Sequence, residues 1–292
     1  MTTVYLNGEY LPKARAMVSV EDRGFTFGDG IYEGVRAIVG KMFEWGAHED
    51  RMTNGLAGLR INFGRAQVAE LEAVCERLVR ENGCADGEAF LYLEVTRGTA
   101  PRVHHFPGAD TKPTVFVNAT SFVAPRELRE KGGKAVMFPD MRWARCDWKT
   151  VNLIGSVLAR QAASEAGAYE AILHKNGVIT EGAATNVFAV IDGTLRTHPL
   201  SHSILPGVTR KVVVALAQEL GIPLVEEAIA ESQIAGASEI FLCGSTTDVT
   251  PVVTLDGRAI GGGAPGPITV RLREALEARM YSPTAASRLI SA

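Results

Sequence analysis

The chain predicts an α+β fold, and three observations predict it. Hairpin signals and helical repeats both occur along its whole length. They do not alternate cleanly, as a doubly wound parallel sheet would require. A largely polar run containing Pro125, 121–133, divides a first set of elements from a second. The 292 residues suffice for one large domain or two moderate ones, each with its own core. A boundary in that run gives a small N-terminal domain over 1–120 and a larger C-terminal domain over 121–292.

Each element has a local reason. Val4–Leu6 and Glu9–Leu11 flank Asn7-Gly8, a pair that accepts the positive φ of a tight hairpin turn, and 31–39 and 42–43 flank Gly40-Lys41 in the same way. Residues 47–61 and 65–82 predict helices. In the second, Val68, Leu71, Val74, Cys75, Leu78 and Val79 recur at helical spacing until Asn82-Gly83 stops them. Residues 90–96 and 114–119 read as strands. Beyond the divide, 152–167, 207–221 and 267–280 read as helices, while 169–174, 186–191, 240–243 and 249–255 read as strands.

Composition narrows the function classes. Apolar residues are 46% and charged residues 22%, and the net charge is −3, so neither a broad basic field for nucleic acid nor a polybasic arm for a membrane is present. No stretch has the length and apolarity of a membrane span, and the first ten residues carry no basic segment followed by an apolar run. Cys75, Cys84, Cys146 and Cys243 show no CxxC pairing and no metal-type spacing with histidine, which predicts free thiols in a cytoplasmic protein and no metal centre.

Several segments offer chemistry. Lys149 stands beside Trp148 just before a helix; partial burial there would favour a neutral amine, a nucleophile or base, although a lone lysine is more often a solvated surface group. Glu181 sits in a small-residue turn, Thr180–Asn186, where a carboxylate can face a ring nitrogen, a metal or only water. Pro206-Gly207 precedes a helix whose first N–H groups, at Val208 and Thr209, suit a phosphate; Ser245 and Thr246 follow a strand and make a second candidate cradle, or a plain turn. Arg51 lies in His48-Glu49-Asp50-Arg51. Arg102 and His104, two apart on an extended segment, would point the same way and grip one carboxylate.

Taken in order, these segments resemble the fold type IV pyridoxal-phosphate enzymes, and among them most closely the D-amino acid aminotransferases. The resemblance runs over nearly the whole chain. It rests on Glu21-Asp22-Arg23-Gly24-Phe25-Thr26-Phe27-Gly28-Asp29-Gly30-Ile31-Tyr32-Glu33, His48–Arg51, Thr96–His104, Arg142–Lys149, Tyr169–His174, Thr180-Glu181-Gly182, Gly207–Arg210 and Ser245–Thr247. It implies pyridoxal 5'-phosphate in the cleft between a small and a larger domain, with Lys149 as the Schiff-base lysine. Glu181 would bond the pyridine nitrogen, and Arg51, Val208, Thr209, Ser245 and Thr246 would hold the phosphate. Tyr32, Arg102 and His104 would trap the substrate carboxylate, the last two from the other subunit of a homodimer. The substrates implied are D-amino acids of the alanine and glutamate type and a 2-oxo acid, in ping-pong exchange.

Two departures keep alternatives open. Glu33-Gly34-Val35-Arg36 looks more like the branched-chain L-aminotransferases of this fold, and Ala183-Ala184 replaces a serine-rich turn. The 4-amino-4-deoxychorismate lyases share fold and cofactor, and a non-catalytic cofactor-binding module is the reading from another class. Arg36 and Arg97 are further cations that would either receive a second substrate carboxylate or form structural ion pairs.

Overall fold

The computed structural model describes residues 2–281, which form two compact units. The first comprises the chain up to Val123 together with Trp148–Asn152. The second comprises Ala124–Asp147 and the chain from Leu153 onward.

The first unit holds β1 (Thr3–Leu6), β2 (Glu9–Pro12), α1 (Arg23–Phe27), β3 (Gly30–Ile38), β4 (Lys41–Met42), α2 (Trp45–Gly58), α3 (Arg65–Glu81), β5 (Glu88–Thr96) and β6 (Thr114–Ser121). The strands make an antiparallel sheet in the order β2-β1-β6-β5-β3-β4. Period-two alternation divides β5: Ala89, Leu91, Leu93 and Val95 are buried, while Phe90, Tyr92 and Glu94 occupy the other face. The buried face packs on α2 and α3, where Met52, Leu56, Val68, Leu71, Cys75, Leu78 and Val79 complete the core. Asn82, at the end of α3, bonds both the N–H and the carbonyl of Thr3 and the carbonyl of Ala119, tying helix to sheet.

Trp148–Asn152 joins this unit through the backbone. The N–H of Tyr32 donates to the carbonyl of Lys149 at 2.9 Å, and that of Val151 to Gly30 at 3.1 Å. The segment therefore pairs antiparallel beside the start of β3, although 24 residues of the second unit precede it, Ala124 to Asp147.

The second unit holds α4 (Arg126–Lys131), β7 (Gly133–Pro139), α5 (Ile154–Glu165), β8 (Glu170–Lys175), β9 (Val178–Gly182), β10 (Asn186–Ile191), β11 (Thr194–Thr197), α6 (Val208–Glu219), β12 (Leu224–Glu226), α7 (Glu231–Ile234), β13 (Glu239–Gly244), β14 (Asp248–Leu255), β15 (Arg258–Ala259) and α8 (Pro267–Met280). Its sheet runs β12-β11-β10-β13-β14-β7-β8-β9, with β15 on β14. Parallel pairs (β14 with β7, β7 with β8, β11 with β12) mix with antiparallel ones, which is the α+β class the sequence predicts. Among the described residues no helix is long and apolar enough to cross a membrane.

Two local readings need correction. The run 121–133, predicted only as a divide, holds a helix, α4. Five of its six residues are charged, so no hydrophobic period announces the helix; what holds it is tertiary, the buried pair of Arg129 with Asp248 at 2.6 Å. Glu181 stands on a strand, β9, rather than in a turn between strands; the turn begins after Gly182.

Candidate active site

In the first unit the chemistry gathers at the start of β3. The Nζ of half-buried Lys149 donates to the hydroxyl of Tyr32 at 3.2 Å and lies 4.3 Å from the centre of its ring. The neighbouring Glu33 is buried. It accepts from Nε and Nη2 of Arg51 at 2.7 and 2.6 Å, one bond on each carboxylate oxygen, and from Nδ1 of His48 at 2.8 Å. Burial alone would raise Glu33. The charge and side-on bonds of Arg51, with the bond from His48, overcome it and bring the carboxyl down to about 2. Burial lowers His48, against the pull of Glu33. Behind Lys149, Trp148 packs on the bare backbone of Gly58, where a Cβ would collide with the indole.

In the second unit a different set converges at one corner of the sheet. Glu181, buried on β9, accepts from the side-chain amide of Asn186 at 2.8 Å and from the N–H of Leu205 at 3.0 Å, and is ion-paired with Arg142. Arg142 sits side-on to Asp140, with Nε on Oδ1 at 2.9 Å and Nη2 on Oδ2 at 2.7 Å, and touches Glu181 only with Nη1. One guanidinium thus serves two carboxylates. Burial, with too little positive charge to offset it, pushes Glu181 up to about 7.

Asn186 links this carboxylate to the other predicted groups. It opens β10, pairs with Cys243 on β13, and also donates to the carbonyl of Leu205 at 3.0 Å. A Cβ on Gly207 would strike its amide oxygen, so the residue preceding α6 must be glycine for the helix to begin here. Val208 and Thr209 are the first two residues of α6, whose opening N–H groups find no partner within a helix. Ser245 and Thr246 lie in the tight turn between β13 and β14, two and three residues past Cys243. Arg129 braces that turn through Asp248 and the carbonyl of Thr246. A buried carboxylate, a helix N-terminus and a hydroxyl turn therefore share one corner.

The chain matches the family model described as Amino-transferase class IV over residues 30–255. It belongs to the class IV aminotransferases. It is 40% identical over 274 residues to the D-alanine aminotransferase of Staphylococcus haemolyticus, covering 94% of this chain and 96% of that protein. Among solved structures, the branched-chain amino acid aminotransferase of Escherichia coli superposes with a TM-score of 0.88 at 29% identity, covering 94% of this chain and 93% of that one. The branched-chain aminotransferase of the thermophilic archaeon Thermoproteus uzoniensis, solved with norvaline, superposes at 0.84 and 26%, covering 97% and 96%. The fold type IV architecture implied by the sequence is the one this aminotransferase has.

The remaining predicted residues of this aminotransferase fall elsewhere. Arg97 is buried and bidentate on Asp29, at 2.7 and 2.9 Å; it also donates to the carbonyls of Leu59 and Arg60 and covers the ring of Phe106. Arg36 is buried, ion-paired with Glu88, and stacked over Phe122. For both, a structural ion pair is the arrangement observed. Arg102 and His104 lie on an exposed irregular segment, not a strand, and both approach the ring of Phe27 rather than Tyr32. Arg51 is engaged with Glu33, as described. Sequence reasoning missed Arg142 and Asn186 as partners of Glu181, Asp140 as the second carboxylate on Arg142, and Glu33 and His48 as partners of Arg51. The only linear signal was that all five fall within or beside the family motifs.

Proposed function

We propose that this aminotransferase moves the amino group of D-amino acids, of the alanine and glutamate type, to a 2-oxo acid, using pyridoxal 5'-phosphate held by Lys149 and by the corner around Glu181. The observation that carries the reading is the amine of Lys149 lodged against the Tyr32 hydroxyl. That company supports a reacting amine over a solvated one.

The donor set fits the cofactor. Asp140 and Glu181 with one Arg142 leave a surplus negative charge that a protonated ring nitrogen would balance. Val208, Thr209, Ser245 and Thr246 offer the backbone and hydroxyl donors a phosphate takes; by the family resemblance Arg51, whose guanidinium also holds Glu33, would add its charge to them. When bound, the cofactor supplies an electron sink for the charge left on the substrate's α-carbon.

The chain's own residues do the rest. Lys149 Nζ removes the α-proton, and Tyr32, donor and acceptor at once, steadies that amine between proton uptake and release. Glu181 holds the ring nitrogen's proton. Tyr32, with Arg102 and His104 from a second copy of the chain, grips the substrate carboxylate. One base stands on one face, so the α-hydrogen must point to it, and a carboxylate held at Tyr32 then selects the D enantiomer. In this reading the active protein is a homodimer in the cytoplasm. The 40% identity to a D-alanine aminotransferase supports the D preference.

The test presents D-alanine and L-leucine separately to the cofactor-loaded enzyme, with no acceptor, and measures the 2-oxo acid released. One equivalent of pyruvate per site from D-alanine is the expected result. A 2-oxo acid from L-leucine alone would overturn the D preference in favour of branched-chain L-transamination, the reading that Glu33-Gly34-Val35-Arg36 favours.

A further inference from the structure

The sheet face that carries Tyr32 holds two more polar side chains that the mechanism has not used. Tyr92 and Glu94 are on β5, two residues apart, and so point to the same side. In the β3–β5 register Glu94 lies directly across from Tyr32, and Tyr92 lies across from Gly34. Tyr92 is thus the diagonal neighbour of Tyr32, within reach of an aromatic contact. The rings stack with centroids 5.7 Å apart and planes 29° from parallel. Gly34 makes room instead for Phe90, the next side chain along the same face, whose ring tip a Cβ there would meet.

The hydroxyl of Tyr92 donates to Oε2 of Glu94 at 2.7 Å. Burial and the neighbouring carboxylate both raise the phenol, which keeps its proton as the donor, while burial also raises Glu94. A chain of contacts results: the Lys149 amine on the Tyr32 hydroxyl, the Tyr32 ring on the Tyr92 ring, the Tyr92 hydroxyl on Glu94. An aromatic ring has two side-chain torsions. Stacking restrains the ring plane, and the hydroxyl bond restrains its far end.

We propose that Tyr92 and Glu94 are positioning residues that fix the ring of Tyr32, and through it the amine of Lys149. The proposal rests on the reading of Lys149 as the reacting amine. Glu94 acts as an anchor whose essential property is a hydrogen-bond acceptor at that point on β5; its negative charge is not required. Tyr92 carries the restraint across to β3. Neither touches the amine.

The test uses Tyr92→Phe, Glu94→Ala, Glu94→Gln and the double variant Tyr92→Phe/Glu94→Ala. The first readout is independent of turnover. Cofactor-free full-length protein is treated with pyridoxal and borohydride, and the rate of capture at Lys149 is followed by peptide mass. The second is kcat and KM for D-alanine in the loaded enzyme. Tyr92→Phe and Glu94→Ala should each slow capture and lower kcat by about fivefold, the scale of one lost hydrogen bond, with KM little changed. Glu94→Gln should restore both, because its amide oxygen still accepts. The double variant should be no slower than either single, since both cut the same link.

Capture at the wild-type rate in Tyr92→Phe, multiplication of the two single effects in the double variant, or a Glu94→Gln protein as slow as Glu94→Ala would each overturn the proposal. Should Glu94→Ala fail to fold, Tyr92→Phe against Glu94→Gln decides alone: slow against normal supports it, equal rates overturn it. A Lys149→Ala protein run alongside separates the two levels. Wild-type turnover in that variant removes the underlying reading. Its inactivity, together with unaffected Tyr92 and Glu94 variants, removes only the positioning role.

Discussion

Glu33 in the first unit and Glu181 in the second are a matched pair with opposite outcomes. Both are buried glutamates, and each meets one arginine. Glu33 takes Arg51 side-on through Nε and Nη2, with His48 as a further donor, and its carboxyl is held down to about 2. Glu181 shares Arg142 with Asp140, which takes the side-on position and leaves it only the end-on Nη1, and its carboxyl is pushed up to about 7. Burial is common to both. What differs is how many carboxylates each guanidinium serves and in what geometry. The first arrangement makes a permanent ion pair. The second makes a carboxyl poised to trade a proton with a ligand's ring nitrogen.

The sharpest way to test the comparison is to remove the groups each half presents to chemistry. Lys149→Ala should keep its fold and lose turnover by roughly a thousandfold or more, measured as pyruvate formed from D-alanine. Wild-type turnover in that variant would leave the first unit with a lysine that does nothing.

Removing the arginines comes next. Arg51→Met strands one buried carboxylate and Arg142→Met strands two. Each should cost on the order of 3–5 kcal/mol in denaturant unfolding, with Arg142→Met the larger. An equal or reversed order would break the claim that sharing is what distinguishes the sites.

The pH dependence carries the same contrast with opposite signs. Glu33 titrates below its ordinary value of 4.5, so its contribution is present above 4.5 and is lost as the pH falls toward 2. Glu181 titrates above 4.5, so its contribution is full below 4.5 and is lost as the pH rises toward 7. Melting of the cofactor-free protein across pH, for wild type, Glu33→Gln and Glu181→Gln, checks this. Glu181→Gln should gain on wild type between about pH 5 and 8, by up to roughly 3 kcal/mol, and Glu33→Gln should show no such gain.

The smallest effects should come from the glycines behind each site. Gly58→Ala drives a methyl into Trp148, beside Lys149, and Gly207→Ala drives one into Asn186, which holds Glu181. Each should cost about 1–3 kcal/mol by overpacking. Gly58→Ala should slow aldehyde capture at Lys149, while Gly207→Ala should leave that capture unchanged and weaken pyridoxal phosphate retention during dialysis. Identical behaviour of the two variants would mean that the halves are not separable in this way.

Much of the fold was legible because it is written locally. The α3 helix is visible in Val68 to Val79 at helical spacing, β5 in its alternation, and the first hairpin in Asn7-Gly8, since each depends on residues a few positions apart. The ordered motifs carried the family and drew attention to Lys149, Glu181 and the start of α6. Short charged α4 was invisible, because its stability comes from Asp248, more than a hundred residues away.

The sequence by itself determined which residues could react: one amine after Trp148, one carboxylate after Thr180, one glycine-led helix start and one hydroxyl turn. Tertiary structure alone decided what state they are in and which cations are spoken for. It gave Arg97 to Asp29 and Arg36 to Glu88, set Arg51 side-on to Glu33, divided Arg142 between two acids, and laid Trp148–Asn152 along β3. The physical reason is that donor and acceptor types are properties of single residues. Protonation depends on burial and on the sum of neighbouring charges, and those are set only when distant segments meet.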